Sequence, residues 1–212
     1  MHEYWDAFLK LLDAESLIET GGFYLIIFIV FAETGLFFGF FLPGDYLLFL
    51  AGLFCALEKI DVHIVTLVIG LLGAGILGNF TGYWFGKRTG PMLFKRKDTW
   101  LFKRKYIVMA EEFYHKYGGT ALIIGRFVPI IRTFAPIFAG VVQLNFRKFI
   151  LYNISGAVIW VFSLTLTGYY LGKSFPEIIN YIEYIVVGMI FITFMPILYA
   201  IIKKRLQKTT ER

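Results

Sequence analysis

Glu33, Asp45, Arg126 and Arg132 are the only charged residues inside the long apolar stretches of this chain, and they come as two acids in one stretch and two arginines in another. A charge at bilayer depth costs about 2.5 to 3.5 kcal/mol on insertion scales, so four of them in so apolar a chain demand partners and a purpose. Arginine grips a phosphate through a bidentate fork and stays ionised in a poor dielectric. Arg126 and Arg132 are therefore candidate ligands for an anionic head group. Burial disfavours the charged form of a carboxylate and a nearby arginine restores it, so carboxylates under both influences can exchange protons near neutral pH. Glu33 and Asp45 are the candidate proton- or ion-coupling residues. In the simplest mechanism the acids pair with the arginines while the site is empty. An arriving phosphate competes for them, and protonation of the acids relieves the repulsion, which links head-group entry to proton movement. The same four charges can also be read as a staple between two segments, a task an apolar interface would do at lower cost.

The rest of the chain has the composition of a membrane protein. Of its 212 residues 58% are hydrophobic and 19% aromatic, and the mean hydropathy is +0.69, well outside soluble norms. The net charge of +6 does not point to nucleic acid, because the basic residues cluster in short runs between apolar segments, where they set topology. Cys55 is the only cysteine, which excludes an intrachain disulfide and a multi-cysteine metal site. His2, His63 and His115 have no metal-ligand spacing, and no cofactor is expected. The first twenty residues carry five acids against Lys10, the opposite of a signal-peptide n-region, so the N-terminus is expected to be retained.

Hydrophobic periodicity divides the chain into an N-terminal amphipathic helix (1–20), a single membrane-embedded domain (21–202) and a basic tail (203–212). Trp5, Phe8, Leu9 and Leu12 give the first segment an apolar stripe suited to the interface. Residues 21–57 are broken by Pro43-Gly44-Asp45 into a piece of about twenty residues and one of about a dozen, the second too short to cross a bilayer alone. Residues 62–86 form a span without a charge. A basic connector (87–117) follows, in which Met109, Ala110, Phe113 and Tyr117 share a face that should lie on the membrane surface. Residues 118–146 are apolar again, interrupted by Pro129 and Pro136, and 149–172 and 184–202 are two further spans. In the span 62–86, Gly70, Ala74, Gly78, Gly82 and Gly86 recur every fourth residue, a smooth ridge best explained by close helix packing. Asn79 and Tyr83 sit beside that ridge, placed to hydrogen-bond the tip of a broken segment.

Charge bias turns the segments into a topology. Sixteen of the twenty-one basic residues fall in 87–116, at Arg147-Lys148 and in 203–212, whereas the stretches 1–20, 58–61 and 173–183 hold nine acids and three basic residues. The first group is assigned to the cytoplasm and the second to the outside. Segments 21–57 and 118–146 then each start and end on one side. The predicted fold is all-α and polytopic: two opposed re-entrant hairpins, about three full spans and interfacial helices, with the broken backbone facing inward. Leu48-Phe49-Leu50-Ala51-Gly52 and Pro136-Ile137-Phe138-Ala139-Gly140 are a weak internal similarity in keeping with an inverted repeat. The competing reading makes 23–42 an ordinary span and moves the N-terminus to the cytoplasm.

Across roughly residues 20 to 175 the order of motifs resembles the DedA family, bacterial relatives of the SNARE-associated Golgi and vacuole membrane proteins. The matching elements are Glu33 followed by Phe41-Leu42-Pro43-Gly44-Asp45, then Gly78-Asn79 with Tyr83 and Gly86. After these come Gly125-Arg126-Phe127-Val128-Pro129-Ile130-Ile131-Arg132-Thr133 and Ala139-Gly140. Many relatives have aspartate where this chain has Asn79. The resemblance implies opposed re-entrant hairpins, a bacterial inner-membrane location and transport of phosphate-bearing lipids, undecaprenyl phosphate above all, linked to the proton motive force. It assigns the acids to Glu33 and Asp45 and the arginines to Arg126 and Arg132. Pro43, Gly44, Asn79, Tyr83, Gly125, Pro129 and Thr133 stand as supporting residues. The expected partners are membrane lipids, with a homo-oligomer left open. A proton-coupled exporter of small soluble molecules or cations, or a general phospholipid (phosphatidylethanolamine) scramblase, would use similar residues. A lipid-phosphate enzyme would need an acid-base group, and no histidine lies in either hairpin.

Overall fold

The computed structural model describes residues 14–36, 44–95, 112, 114, 117–182, 184, 185, 187 and 188, and among them the regular elements are all helical. Pro43, residues 1–13, most of the connector, nearly all of the last span and the tail lie outside the described residues. Helix α1 (Ala14–Gly35) is kinked at Gly22, whose φ of 54° and ψ of −148° suit glycine alone, so the polar sequence ahead of the kink departs from the apolar piece Gly22–Gly35. Helix α2 (Gly44–Ala56) ends where Glu58 takes a φ of 57° and the Glu58 and Lys59 amides return to the Cys55 and Phe54 carbonyls. Helix α3 (Ile64–Lys95) is followed by α4 (Thr120–Gly125), α5 (Pro129–Val141), α6 (Phe146–Ser174) and a 3-10 turn (Pro176–Tyr181). Val128 separates α4 from α5 because a residue before proline is pushed out of the helical region; its φ and ψ are −121° and 112°, and Pro129 then opens α5.

Among the described residues, Ile64–Gly90 and Phe146–Ser174 are the helices long and apolar enough to cross a bilayer. At 1.5 Å per residue, Gly22–Gly35 and Gly44–Ala56 each reach about 20 Å against a hydrocarbon core of about 30 Å. The described helical part of the first apolar piece is Gly22–Gly35, and residues 37–43, which the sequence reading places in the same segment, lie outside the described residues.

The two long helices run antiparallel. Tyr83 of α3 stacks on Phe149 of α6 (centroids 4.3 Å apart), Asn79 bonds Asn153, and Gly75 faces Trp160. The four short pieces line them in pairs. α1 covers the first half of α3, with Phe23 and Ile27 on Gly70 and Phe31 and Thr34 on Gly78, while α5 covers the second half, with Pro136 and Ile137 on Gly82 and Val141 on Gly90. α4 lies on the first half of α6 and α2 on its second half. The glycine ridge therefore packs two short helices laid end to end. The weak internal repeat has a structural counterpart: Gly52 meets the Thr165 carbonyl and Gly168 the Phe49 carbonyl, just as Gly140 meets the Tyr83 carbonyl and Gly86 the Ile137 carbonyl. In each pair a Cβ would collide with the facing backbone, so the two second arms cross their long helices in the same way.

The core falls into two clusters, one built from α1, α2, the first half of α3 and Trp160, the other around Tyr83, Leu122, Ala139 and Phe149. Tyr114 joins the second cluster and donates to the Ala135 carbonyl at 2.7 Å, so one residue of the connector expected on the membrane surface is buried, whereas Tyr117 is half exposed. All inner ends of the short helices meet near the crossing of α3 and α6.

Candidate functional site

Those inner ends carry the four charges. Glu33 sits two residues from the end of α1, and Asp45 in the first turn of α2, where the unpaired amides favour a carboxylate. Arg126 directly follows α4, and Arg132 lies in the first turn of α5. Arg132 donates from Nη2 to Glu33 Oε1 and from Nη1 to Asp45 Oδ1, so one guanidinium forks across two carboxylates from different helices. Asp45 Oδ1 also accepts from Trp160 Nε1 at 2.8 Å. The Trp160 ring faces both cations, with the guanidinium carbon of Arg132 at 4.7 Å and that of Arg126 at 5.7 Å from its centroid. Glu33, Arg126 and Arg132 are 0%, 1% and 2% exposed.

The two arginines are not equivalent. Arg126 Nη2 donates to Asn153 Oδ1 at 2.6 Å, to the Asn153 carbonyl at 3.3 Å and to the Gly75 carbonyl at 3.4 Å. No carboxylate pairs with it among the described residues, and its Nε and Nη1 are buried without an acceptor. Two acids and two arginines balance in number, yet both acids serve Arg132. The sequence places acids and arginines together without saying which pairs with which, and the structure gives both acids to Arg132. A buried cation bonded only to neutral dipoles retains most of its attraction for an anion.

The supporting residues separate into those that touch the site and those that do not. Thr133 Oγ1 donates to the Glu33 carbonyl at 3.3 Å, and Arg132 Nη1 lies 3.4 Å from the Arg126 carbonyl, which ties α5 to both breaks. Gly44 lies against Glu33 Oε2, and a Cβ there would collide with the carboxylate. Gly125 faces Ile131, where a Cβ would come within 2.7 Å. Asn79 Nδ2 donates to Asn153 Oδ1 at 2.9 Å, so it reaches the arginine only through Asn153. Tyr83 does not approach a hairpin tip; its hydroxyl donates to the Leu144 carbonyl at 2.8 Å, in the loop joining α5 to α6. Pro129 acts through the backbone as the first residue of α5. Trp160 and Asn153 escaped sequence reasoning. Both are polar-capable residues near the middle of a span, away from the ends where tryptophan concentrates, and that position was the available signal.

Residues 42–170 match the model of the VTT domain. The chain belongs to this family, the DedA family. It is 39% identical to "Protein DedA" of Escherichia coli (strain K12) over 194 residues, 91% of this chain and 88% of that one. An uncharacterized membrane protein of Mycobacterium tuberculosis (strain H37Rv) is 40% identical over 82% of this chain and 75% of its own. "Inner membrane protein YqjA" of Escherichia coli (strain K12) is 34% identical over 76% and 72%. No solved structure matches. Membership in the DedA family, with relatives named as membrane proteins of bacteria, places the chain in a bacterial membrane. The segment matched to the VTT domain holds Asp45, Arg126, Arg132, Asn153 and Trp160 and begins after Glu33.

Proposed function

We propose that this protein is a lipid carrier rather than an enzyme, moving undecaprenyl phosphate or a similar anionic lipid head group across the bacterial inner membrane, coupled to a proton or cation gradient. The observation that carries the reading is the division of labour between the arginines. Arg126 keeps two buried donors without a protein acceptor, a preformed grip for one edge of a phosphate, while Arg132 is held by Glu33 and Asp45. Phosphate entering beside Arg126 would meet two carboxylates. Protonation of Glu33 or Asp45 removes that repulsion and frees the fork of Arg132 for the phosphate, so one protonation step couples to one head group. Trp160 stands within cation–π reach of both guanidinium groups while its indole N–H holds the Asp45 carboxylate.

Opposed re-entrant hairpins are the topology that accommodates this site. The apolar piece Gly22–Gly35 of α1 and the helix α2 are each too short to cross and meet at the charged cluster, α4 and α5 meet there as well, and the antiparallel α3 and α6 suit an inverted relation of the two halves. The positive-inside rule then puts the basic tail in the cytoplasm. A lipid rather than a soluble solute is favoured by the apolar groove beside the acid-bearing end of α1, lined by Phe31, Gly35, Phe80 and Ile137 among others. Such a lateral opening suits a hydrocarbon chain. The test is head-group translocation in liposomes with and without a pH gradient, comparing polyprenyl phosphate with phosphatidylethanolamine. Gradient-dependent movement of polyprenyl phosphate alone supports the reading. Equal movement of both lipids without a gradient indicates a scramblase, and movement of neither refutes lipid transport.

A further inference from the structure

The apolar groove has a basic end. Its walls are Phe31, Gly35 and Leu36 of α1, Phe80, Thr81, Trp84 and Phe85 of α3, and Ile137 of α5, enclosing about 660 Å³. Trp84 also lines a smaller hollow of about 260 Å³ whose other described walls are Lys87 and Arg88. The Arg88 guanidinium carbon lies 5.4 Å from the centroid of a Trp84 ring, and neither basic residue pairs with a carboxylate among the described residues. Trp84 and Phe85 are 62% and 52% exposed, far more than a residue packing two helices together would be.

We infer that this face of α3 is a binding site for an anionic phospholipid, with the phosphate on Lys87 and Arg88 and one hydrocarbon chain in the groove. Three features select that occupant. The cationic end calls for a negative group, and the aromatic Trp84 stands at the boundary between charge and hydrocarbon, where amphipathic rings are favoured. The groove beyond it is apolar along Phe80 to Phe85 of α3, and among the described residues it has no charged wall to hold a peptide. The topology rule places the Lys87-Arg88 end on the cytoplasmic side, the leaflet that carries anionic lipid to such basic clusters. At its other end the groove reaches Gly35, two residues from Glu33, so a lipid held here is parked beside the charged cluster. Binding at this site does not require that the lipid be transported.

The experiment measures proximity and not movement. The full chain is reconstituted in vesicles containing either phosphatidylglycerol or phosphatidylcholine with brominated chains, and the quenching attributable to Trp84 is read as the difference between the wild type and Trp84→Phe. Brominated phosphatidylglycerol should quench this component at mole fractions on the order of tenfold lower than brominated phosphatidylcholine, the preference expected from two basic residues at the surface. Lys87→Gln with Arg88→Gln should abolish the preference while leaving quenching by phosphatidylcholine. Thr81→Phe, which fills the groove without adding a tryptophan, should lower quenching by both lipids. Equal quenching by the two lipids in the wild type, or a preference that survives the double substitution, overturns the site. Because translocation is not the readout, a failed transport assay leaves this result standing, and loss of the site leaves the Arg126 grip untouched.

Discussion

Arg126 and Arg132 should respond to the same substitution in opposite proportion. Arg132→Gln strands Glu33 and Asp45 in a buried site without their cation, and breaking a buried pair in this way costs about 3 to 5 kcal/mol. For a chain of this size each kcal/mol moves the melting temperature by about 2 to 4 °C, so the midpoint should fall by roughly 6 to 20 °C. Arg126→Gln strands no carboxylate. It removes bonds to Asn153 and to the Gly75 carbonyl, but Asn79 still donates to Asn153 Oδ1, and the like-charge neighbour of Arg132 disappears. The net loss should be about 1 kcal/mol, or roughly 2 to 4 °C. Translocation of polyprenyl phosphate should vanish in both. Melting followed by size-exclusion of detergent-solubilised protein, with liposome transport on the same preparations, gives both numbers. Equal destabilisation by the two substitutions, or normal transport by Arg126→Gln, would sink the asymmetric site. A triple change of Arg132→Gln, Glu33→Gln and Asp45→Asn should recover the melting temperature and not the transport. If it recovers both, the charges are only a staple.

Glu33→Gln and Asp45→Asn should each weaken the response of transport to a pH gradient, since an amide cannot take up and release the proton; an unchanged gradient response in both would assign coupling elsewhere. Arg126→Lys keeps the charge and loses the planar fork, and should impair transport with little effect on melting; full activity would show that a point charge suffices. Trp160→Phe keeps an aromatic face for the arginines but removes the donor to Asp45, and should cost about 1 to 3 kcal/mol, checked by the same melting assay. Single cysteines replacing Asp61 and Glu177 should react with an impermeant reagent from outside, and ones replacing Lys97 and Lys208 should not; outside labelling at Lys97 would refute the hairpin topology.

The charged residues were legible in the sequence because each is so costly in hydrocarbon that its presence alone signals a site. The glycine ridge was legible for a similar reason, as small residues at every fourth position have no other common use in a span. What the sequence did not reveal is which partner each charge chooses. Pairing depends on where helix ends stop, and Gly35, Val128 and Gly44 set those ends through local backbone preferences that composition averages away. Trp160 was hidden among aromatics that usually mark the membrane interface. Asn153 was hidden because a neutral amide is affordable in a span, so nothing forced attention to it. Tyr83 was misplaced by proximity along α3: one turn from Asn79 it already faces the loop after α5 and not the breaks.

The matching glycine contacts of the two halves explain how the charges came to meet. Gly52 on Thr165 and Gly140 on Tyr83 put α2 and α5 in equivalent positions on antiparallel helices, so the starts of both arms point at one centre. At that start α2 carries Asp45 and α5 carries Arg132; at the end of the first arms α1 carries Glu33 and α4 is followed by Arg126. One half is acidic and the other basic at corresponding places. Had both halves carried the same sign, the inner ends would repel. With opposite signs they attract, but the symmetry is imperfect, because the Trp160 indole and the close approach of Gly44 to Glu33 draw both acids to Arg132. That bias leaves Arg126 as the cation without a carboxylate among the described residues, and on this asymmetry rests the proposed grip on a phosphate.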